Sequence, residues 1–143
     1  MIALDTNVLV CARRAELPRH ARARRLLKQL AKGDEPWALP WPCLYEYVRV
    51  VTHRGFFGNP SPLEVVLADL ETLLASPSLT LLAEGPAHAA HMSRMLRSGD
   101  ARGNMVFDAR IAAIAVEHGV RELWTADRDF ARFPGLTVRN PFD

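Results

Sequence analysis

Short apolar runs alternate along this chain with longer segments in which apolar residues recur at every third or fourth position. The short runs are typical of strands buried on both faces of a sheet, and the longer segments are typical of amphipathic helices. Four strands are predicted, at 1–5, 37–40, 79–83 and 122–125, with a fifth at the sheet edge at 136–138. Helices are predicted from residue 6 through 10, and over 19–32, 42–53, 63–74, 86–96 and 104–118.

The predicted strands are separated by helices in almost every case, so successive strands need crossover connections. Such connections give a mostly parallel sheet flanked by helices. No linker, repeat or low-complexity stretch interrupts the pattern. The sequence therefore predicts a single α/β domain over residues 1–143, with a mostly parallel central sheet of four or five strands.

Composition narrows the class of protein. The chain has 143 residues, of which 49% are hydrophobic and 24% charged, close to the average of globular proteins. No apolar run approaches the roughly 20 residues that span a bilayer, and the first residues lack the basic start and apolar stretch of a secretory signal. The two cysteines, Cys11 and Cys43, form no Cys-x-x-Cys motif. We therefore expect a cytoplasmic protein.

Sixteen of the eighteen basic residues are arginine, although the formal net charge is only +2. A guanidinium group binds two phosphate oxygens at once, which favours an RNA or DNA substrate. A GC-rich coding bias explains the same excess without any function, and the sequence leaves both explanations open. The candidate RNA contacts are Arg13, Arg14, Arg22 and Arg25. The alternative is that these arginines form a helix face exposed to solvent, with no role in binding.

Carboxylates follow two of the predicted strands. Asp5 comes directly after the first strand, and Asp127 and Asp129 follow the fourth. In open parallel α/β sheets, function lies in the crevice beyond the carboxyl ends of the strands. Both strands are expected to be central, because each is short and apolar. We therefore expect these carboxylates to open onto one crevice.

Two further acids lie on predicted helices. Glu46 lies in the helix 42–53, and Asp108 lies in the second turn of the helix 104–118, on the same stripe as alanines. An aspartate on an apolar stripe is costly to bury without a partner. Glu46 has an alternative explanation, since Arg49 lies three residues further on and could pair with it.

Together these carboxylates imply a metal ion. Gathered at one crevice, they repel one another, and each has its pKa raised unless positive charge is supplied. Ligation by Asp, Glu and the amide of Asn7 or Asn104 suits Mg²⁺ or Mn²⁺ rather than zinc. Such an ion generates hydroxide from bound water and neutralises a phosphate oxygen. The chemistry predicted is phosphodiester hydrolysis.

Four segments contain these residues in a specific order and spacing. They are Ile2-Ala-Leu-Asp5-Thr-Asn7, Glu46-Tyr-Val-Arg49, Gly103-Asn-Met-Val-Phe-Asp108-Ala-Arg-Ile-Ala-Ala-Ile-Ala with Glu117-His-Gly119, and Trp124-Thr-Ala-Asp127-Arg-Asp129-Phe-Ala-Arg-Phe-Pro-Gly135. The chain thereby resembles the PIN domain, and more closely the VapC-type ribonuclease toxins of bacterial and archaeal toxin–antitoxin pairs. Any one segment is weak evidence for the family, but the four segments together are specific and span nearly the whole chain.

The resemblance implies an acidic quartet, with Asp129 as a further candidate metal ligand, and a set of supporting polar residues. It also implies Mg²⁺- or Mn²⁺-dependent endonucleolytic cleavage of RNA, a homodimer, and a cognate VapB-type antitoxin whose C-terminal segment wraps the toxin and occludes the acidic pocket. Phe107 departs from the family, which often has a smaller or proline-like residue there, and we expect it to pack. The quartet is Asp5, Glu46, Asp108 and Asp127, and the supporting residues are Thr6, Asn7, Asn104 and Thr125.

We assign Asp5 and Asp108 as the principal metal ligands, directly or through water. Glu46 and Asp127 are assigned to the outer or second-metal positions and to orienting the attacking water. This division of roles is a hypothesis.

Three other residues have two interpretations each. Arg49 either orients Glu46 or faces a substrate phosphate. Phe56 and Phe57 are adjacent aromatic residues in the predicted loop 54–62, which is rich in turn formers. They form either a partner surface, or one of them folds back on the core.

Two other classes of function compete with the nuclease. A phosphotransferase or phosphatase of the haloacid dehalogenase-like group would use Asp5 as its nucleophile, but it needs a second aspartate where Asn7 stands. A catalytically silent PIN-like module would bind RNA or protein without cutting. Loss of an acid would indicate such a module, and all four acids are present.

Overall fold

A computed structural model describes all 143 residues and contains one five-stranded sheet in which every neighbouring pair of strands is parallel. The strand order is β3-β2-β1-β4-β5, so β1 and β4 are interior strands and β5 is an edge, as predicted. The mostly parallel α/β sheet expected from the sequence is therefore confirmed. The strands are β1 (Ile2–Leu4), β2 (Trp37–Pro40), β3 (Leu79–Leu82), β4 (Glu122–Trp124) and β5 (Thr137–Arg139).

All six predicted helices are present, with bounds within a few residues of those expected. A short 3-10 helix over Arg128–Arg132 was not predicted, because one turn is too short to show a hydrophobic period. None of the helices is both long enough and apolar enough to cross a membrane. The six are α1 (Thr6–Arg13), α2 (His20–Lys32), α3 (Trp41–Val51), α4 (Leu63–Leu74), α5 (His88–Ser98) and α6 (Met105–Glu117).

Hydrophobic cores lie on both faces of the sheet, which explains why the strands are apolar at successive positions. Ala3 and Leu123 belong to the cluster formed with α5 and α6, whereas Leu4 and Leu39 belong to the cluster formed mainly with α1, α2, α3 and α4. All four of these side chains are fully buried. The alanines of α6 lie in the first cluster, so they serve core packing.

The strand order also explains where polar residues gather. After β1 the chain builds outward to β2 and β3, and it then returns to place β4 on the other side of β1. Ligands of open α/β sheets bind at such a reversal, beyond the carboxyl ends of the strands. Leu4 pairs with Trp124, and the amide of Asp5 donates to the carbonyl of Trp124 at 3.1 Å. The residues that follow β1 and β4 therefore lie side by side.

Candidate active site

A cavity of about 250 Å³ opens at this reversal, and four carboxylates lie in its wall. Asp5 comes from the end of β1, Asp127 from the segment after β4, Glu46 from α3 and Asp108 from the first turn of α6. We call it the acidic cavity. Its lining residues are Asp5, Thr6, Asn7, Val10, Cys11, Glu46, Val50, Asp108 and Asp127.

Asp5 is held more firmly than the other acids. It is the N-cap of α1 and is only 5% exposed, and its Oδ1 accepts a hydrogen bond from the amide of Thr6 at 2.7 Å. Its Oδ2 accepts from Thr125 Oγ1 at 2.8 Å and from Asn7 Nδ2 at 3.2 Å. An aspartate is a common N-cap because its carboxylate satisfies a free amide of the first turn. Because Oδ1 is held by the cap, the other carboxylate oxygen, Oδ2, is directed at Thr125, which follows β4.

Thr125, which follows β4, connects residues that follow the two central strands β1 and β4. Its hydroxyl donates to Asp5, and it accepts from Asn7 Nδ2 at 2.8 Å and from the amide of Asp127 at 3.0 Å. The residue is 1% exposed, so these bonds are shielded from water. The amide of Ala126 also donates to Asn7 Oδ1 at 3.3 Å. Thr125 and Asn7 therefore fix the position of Asp127 relative to Asp5.

Glu46 is oriented by a hydroxyl rather than by Arg49. Thr6 Oγ1 donates to Glu46 Oε2 at 2.9 Å. Of the two interpretations of Arg49, an ion pair with Glu46 does not form: Arg49 is exposed, and its guanidinium carbon lies 5.5 Å from the centroid of the Phe56 ring. An i,i+3 spacing permits an ion pair but does not require one when another partner lies on the solvent side.

Asp108 is the acid with the least support from its surroundings. Burial raises its pKa, and the charges of Asp127, Asp5, Glu46 and Asp129 raise it further, to about 7. No hydrogen bond acts in the opposite direction. At neutral pH this carboxylate therefore ionises only partly unless a cation is present.

The pKa of Asp5 is also raised, to about 6, mainly by burial. The hydrogen bonds from Thr125 and from the amide of Thr6 stabilise its charged form, whereas Glu46 and Asp127 destabilise it by repulsion. Two raised carboxyl pKa values in one cavity are typical of a functional site. The physical cause is first the burial of these carboxylates and second the repulsion between their negative charges.

Asn104 and Asp129 are among the candidate residues that lie outside the lining of the acidic cavity. Asn104 is at the N-cap position of α6 but is exposed, and its side chain makes no capping hydrogen bond. Asp129 is also exposed, and its amide donates to Asp127 Oδ1 at 2.9 Å. Asp127 thus caps the 3-10 helix and lines the cavity, whereas Asp129 lies in the first turn of that helix and outside the lining.

Three of the four candidate RNA-contact arginines have partners within the chain. Arg13 Nε lies 2.9 Å from Asp69 Oδ2, and Arg14 pairs with Glu16 at 2.6 Å. Arg22 donates to the C-terminal carbonyls of Phe142 and Asp143, at 2.9 and 3.1 Å. The fourth, Arg25, is exposed and forms none of the ion pairs. These contacts favour a structural role for the first three.

The two adjacent phenylalanines take different environments. Phe57 packs against the core cluster beside α1, and the guanidinium carbon of Arg14 lies 4.2 Å from its ring centroid. Phe56 is 53% exposed. Phe107, which was expected to pack, is 65% exposed, so that expectation is wrong. It lies in the first turn of α6, where the core side is taken by small residues.

Sequence reasoning did not assign the two cysteines to the cavity. Cys11 lines it, and Cys43, fully buried at the start of α3, has its Sγ 3.7 Å from Asp5 Oδ1. Burial raises the pKa of the Cys43 thiol well above its usual value, so it remains a neutral donor. The available signal was position, since α3 begins where β2 ends, at the same edge of the sheet as Asp5.

The donor set suits a hydrated divalent ion. All four acids supply hard oxygen donors, but no three His, Cys, Asp or Glu side chains lie close enough together to hold one ion directly. Mg²⁺ usually keeps several waters and binds one or two carboxylates. A water occupies roughly 30 Å³ in the liquid, so the cavity has room for an ion with part of its water shell.

Comparison with known proteins gives a consistent assignment. Residues 2–136 match the family described as PIN domain. The chain is 41% identical to VapC ribonuclease Mb2897 of Mycobacterium bovis over 143 residues, which cover 100% of this chain and 97% of the relative. It is 33% identical to ribonuclease VapC48 of Mycobacterium tuberculosis over 138 residues, covering 96% and 95%.

Among solved structures, the fold is similar to that of VapBC2 from Rickettsia felis bound to a DNA fragment from their promoter. The TM-score is 0.69 at 23% identity, and the match covers 98% of each chain. At this identity the likeness shows the fold alone. The similarity of sequence over the full length carries the assignment further: the chain belongs to the PIN domain family and, within it, to the VapC ribonucleases.

Proposed function

We propose that this protein is a Mg²⁺- or Mn²⁺-dependent endoribonuclease that acts as the toxin of a VapBC-type toxin–antitoxin pair. The observation that carries the proposal is the convergence of Asp5, Glu46, Asp108 and Asp127 on one cavity at the reversal of strand order. Burial and the repulsion among four carboxylates in a common wall destabilise their charged forms, as the raised pKa values of Asp5 and Asp108 indicate. A bound divalent cation removes that repulsion.

Asp5 and Asp108 would hold the ion, directly or through water, and Glu46 and Asp127 would complete its surroundings. A bound Mg²⁺ or Mn²⁺ lowers the pKa of a water and neutralises charge on the scissile phosphate. Asp129, outside the lining, is a further candidate ligand for the outer rim. Oxygen donors alone favour these hard ions over zinc.

The chain's own residues supply orientation. Thr125 and Asn7 hold Asp5 in one rotamer, and Thr6 holds Glu46, so both carboxylates present fixed oxygens to the cavity. Glu46 and Asp127 accept hydrogen bonds from the attacking water and so aim it at the phosphorus. Asp108 has no stabilising hydrogen bond, and with its pKa raised to about 7 it is only partly ionised at neutral pH in the absence of a cation.

The proposed partners are based on the proteins to which this chain is similar. VapBC2 of Rickettsia felis is a complex by its name, and we propose that this chain likewise binds a VapB-type antitoxin that occludes the acidic cavity. We further propose a homodimer and a cytoplasmic location, where the two free cysteines stay reduced.

Purified protein and a mixed RNA substrate test the nuclease. We expect cleavage with Mn²⁺ or Mg²⁺, none with EDTA, and none from Asp5→Asn or Asp108→Asn, while the exposed control Asp34→Asn cleaves normally. Binding of RNA without product under every metal condition would favour the silent module instead. Expression in a bacterial host tests the toxin role: we expect growth arrest that Asp5→Asn abolishes, and the absence of growth arrest would contradict the proposal.

A further inference from the structure

The solvent-facing side of α3 carries aromatic residues. Three residues of this helix are exposed, and they are Trp41, Tyr45 and Arg49. Trp41 is 38% exposed and Tyr45 is 74% exposed. Residues four apart lie on one face of a helix, and that face is ordinarily covered with charged or amide side chains when it meets water. Two aromatic rings and a guanidinium group in its place indicate a binding surface.

The surface continues beyond the end of the helix. The guanidinium carbon of Arg49 lies 5.5 Å from the centroid of the Phe56 ring, and Phe56 is itself 53% exposed. His53 lies against the same ring, with centroids 5.1 Å apart. We call Trp41, Tyr45, Arg49 and Phe56 the aromatic stripe. From Trp41 to Arg49 it extends about 12 Å along the helix axis, at 1.5 Å per residue.

The aromatic stripe and the acidic cavity share helix α3. Glu46 and Val50, on the same helix, line that cavity. With 3.6 residues per turn, Arg49 lies about 60° from Glu46 around the helix axis, Tyr45 about 100° and Trp41 about 140°, all in the same sense. A nucleic acid strand with one phosphate beside Glu46 would therefore meet Arg49 first and the two aromatic rings farther around the helix.

The charge of the stripe favours a polyanion. Arg49 forms none of the five ion pairs in the structure, and no Asp or Glu occurs between residues 47 and 63, a segment that also contains His53 and Arg54. A second copy of the chain docking by a two-fold axis would bring these cations together without a carboxylate on the stripe to meet them. Flat rings alternating with a guanidinium plane instead match the faces of nucleic acid bases.

We propose that the aromatic stripe binds unpaired bases of single-stranded RNA next to the phosphate that is cleaved, a role that rests on the proposed ribonuclease function. Tyr45 and Trp41 stack on base faces, and Arg49 stacks or contacts the adjoining phosphate. Stacking needs a free base face, which a duplex does not offer. The stripe therefore selects single-stranded regions over helices while tolerating any base.

The test measures binding in the cleavage-deficient Asp108→Asn background. The probes are a randomised 20-nucleotide RNA pool, labelled for fluorescence anisotropy, and the same pool annealed to its complement. Tyr45→Ala should weaken single-strand binding by about 5-fold to 100-fold, the range of base–aromatic stacking, and leave duplex binding unchanged. Tyr45→Phe, which keeps the ring, should stay within about twofold. Because Tyr45 is neutral, the dependence of affinity on salt should not change.

Leu63→Ala is the matched control, since Leu63 is equally an exposed apolar residue (53%) but lies on α4, outside the stripe. If the parent chain cleaves RNA while Tyr45→Ala and Trp41→Ala bind it normally, the stripe proposal is wrong and the nuclease stands. If the parent chain neither cleaves RNA nor binds single strands, the stripe proposal and the ribonuclease proposal are both wrong. If Tyr45→Ala instead dissociates a dimer in light scattering and RNA affinity is unchanged, the stripe is an interface between copies and the proposal is overturned.

Discussion

Replacement of Asp108 by asparagine should abolish cleavage and at the same time stabilise the metal-free protein. The substitution keeps the shape of the side chain and removes the charge that burial, Asp127, Asp5, Glu46 and Asp129 all oppose. A site built to hold a cation is under electrostatic strain without one. The gain in stability should therefore accompany the loss of function.

The size of the gain follows from the pKa. Its rise from 3.8 to about 7 is about three units, and at 1.36 kcal/mol per unit the upper limit is about 4 kcal/mol. Asp108 remains partly exposed, so screening by water and salt reduces this figure. We expect about 1–2 kcal/mol, or roughly 3–7 °C in Tm for a chain of this length.

The raised pKa of Asp108 also determines how the stability difference between the variant and the parent changes with pH. The pKa of Asp108 is raised in the folded protein, so the folded state holds this proton more tightly than the unfolded state does. The resulting stability is complete below about pH 3.8 and is lost as the pH rises through about 7. The advantage of Asp108→Asn should therefore grow from small near pH 4.5 to its full size at pH 8.

The assay is thermal unfolding followed by circular dichroism in EDTA, from pH 4.5 to pH 8, with Asp34→Asn as a control for the change in net charge. Repeating it with Mg²⁺ should raise the Tm of the parent at pH 8 and leave the variant nearly unchanged. A variant no more stable than the parent at pH 8, or equally stabilised at every pH, would refute the electrostatic reasoning.

Three further predictions concern other contacts. Thr125→Val should lower the free energy of unfolding by about 1–3 kcal/mol and reduce cleavage, because it leaves buried groups unpaired, while Thr125→Ser should restore both in denaturant titrations and RNA cleavage assays. Gly85→Ala should cost about 1–2 kcal/mol in the same titration, since the new Cβ meets the Glu117 carboxylate, which accepts the amides of the β3–α5 connection. Arg25→Glu should weaken RNA binding and lower its salt dependence, whereas Arg14→Ala should change stability only; equal salt slopes would remove Arg25 as a phosphate contact.

The sequence by itself determined the elements, the parallel sheet and the position of two acids. Continuous apolar runs between helical segments admit few arrangements, because parallel strands must be covered on both faces. Asp5 and Asp127 could be placed at one edge, since the carboxyl ends of parallel strands all lie there. Glu46 and Asp108 could be singled out as acids on predicted helices, but the resemblance to a family was needed to assign them to the quartet, because a helix does not show in its sequence which residues it faces.

Only the tertiary structure decided which partner each polar side chain takes. Arg49 stacks on Phe56 rather than pairing with Glu46, and Arg14 covers Phe57. Thr125 joins Asn7 and Asp5 across about 120 residues of sequence. Long or polar side chains reach several neighbours at similar free energy, and packing of the elements selects among them. The periodicity of apolar residues shows which face of an element is buried, but it does not show which residues lie opposite that face.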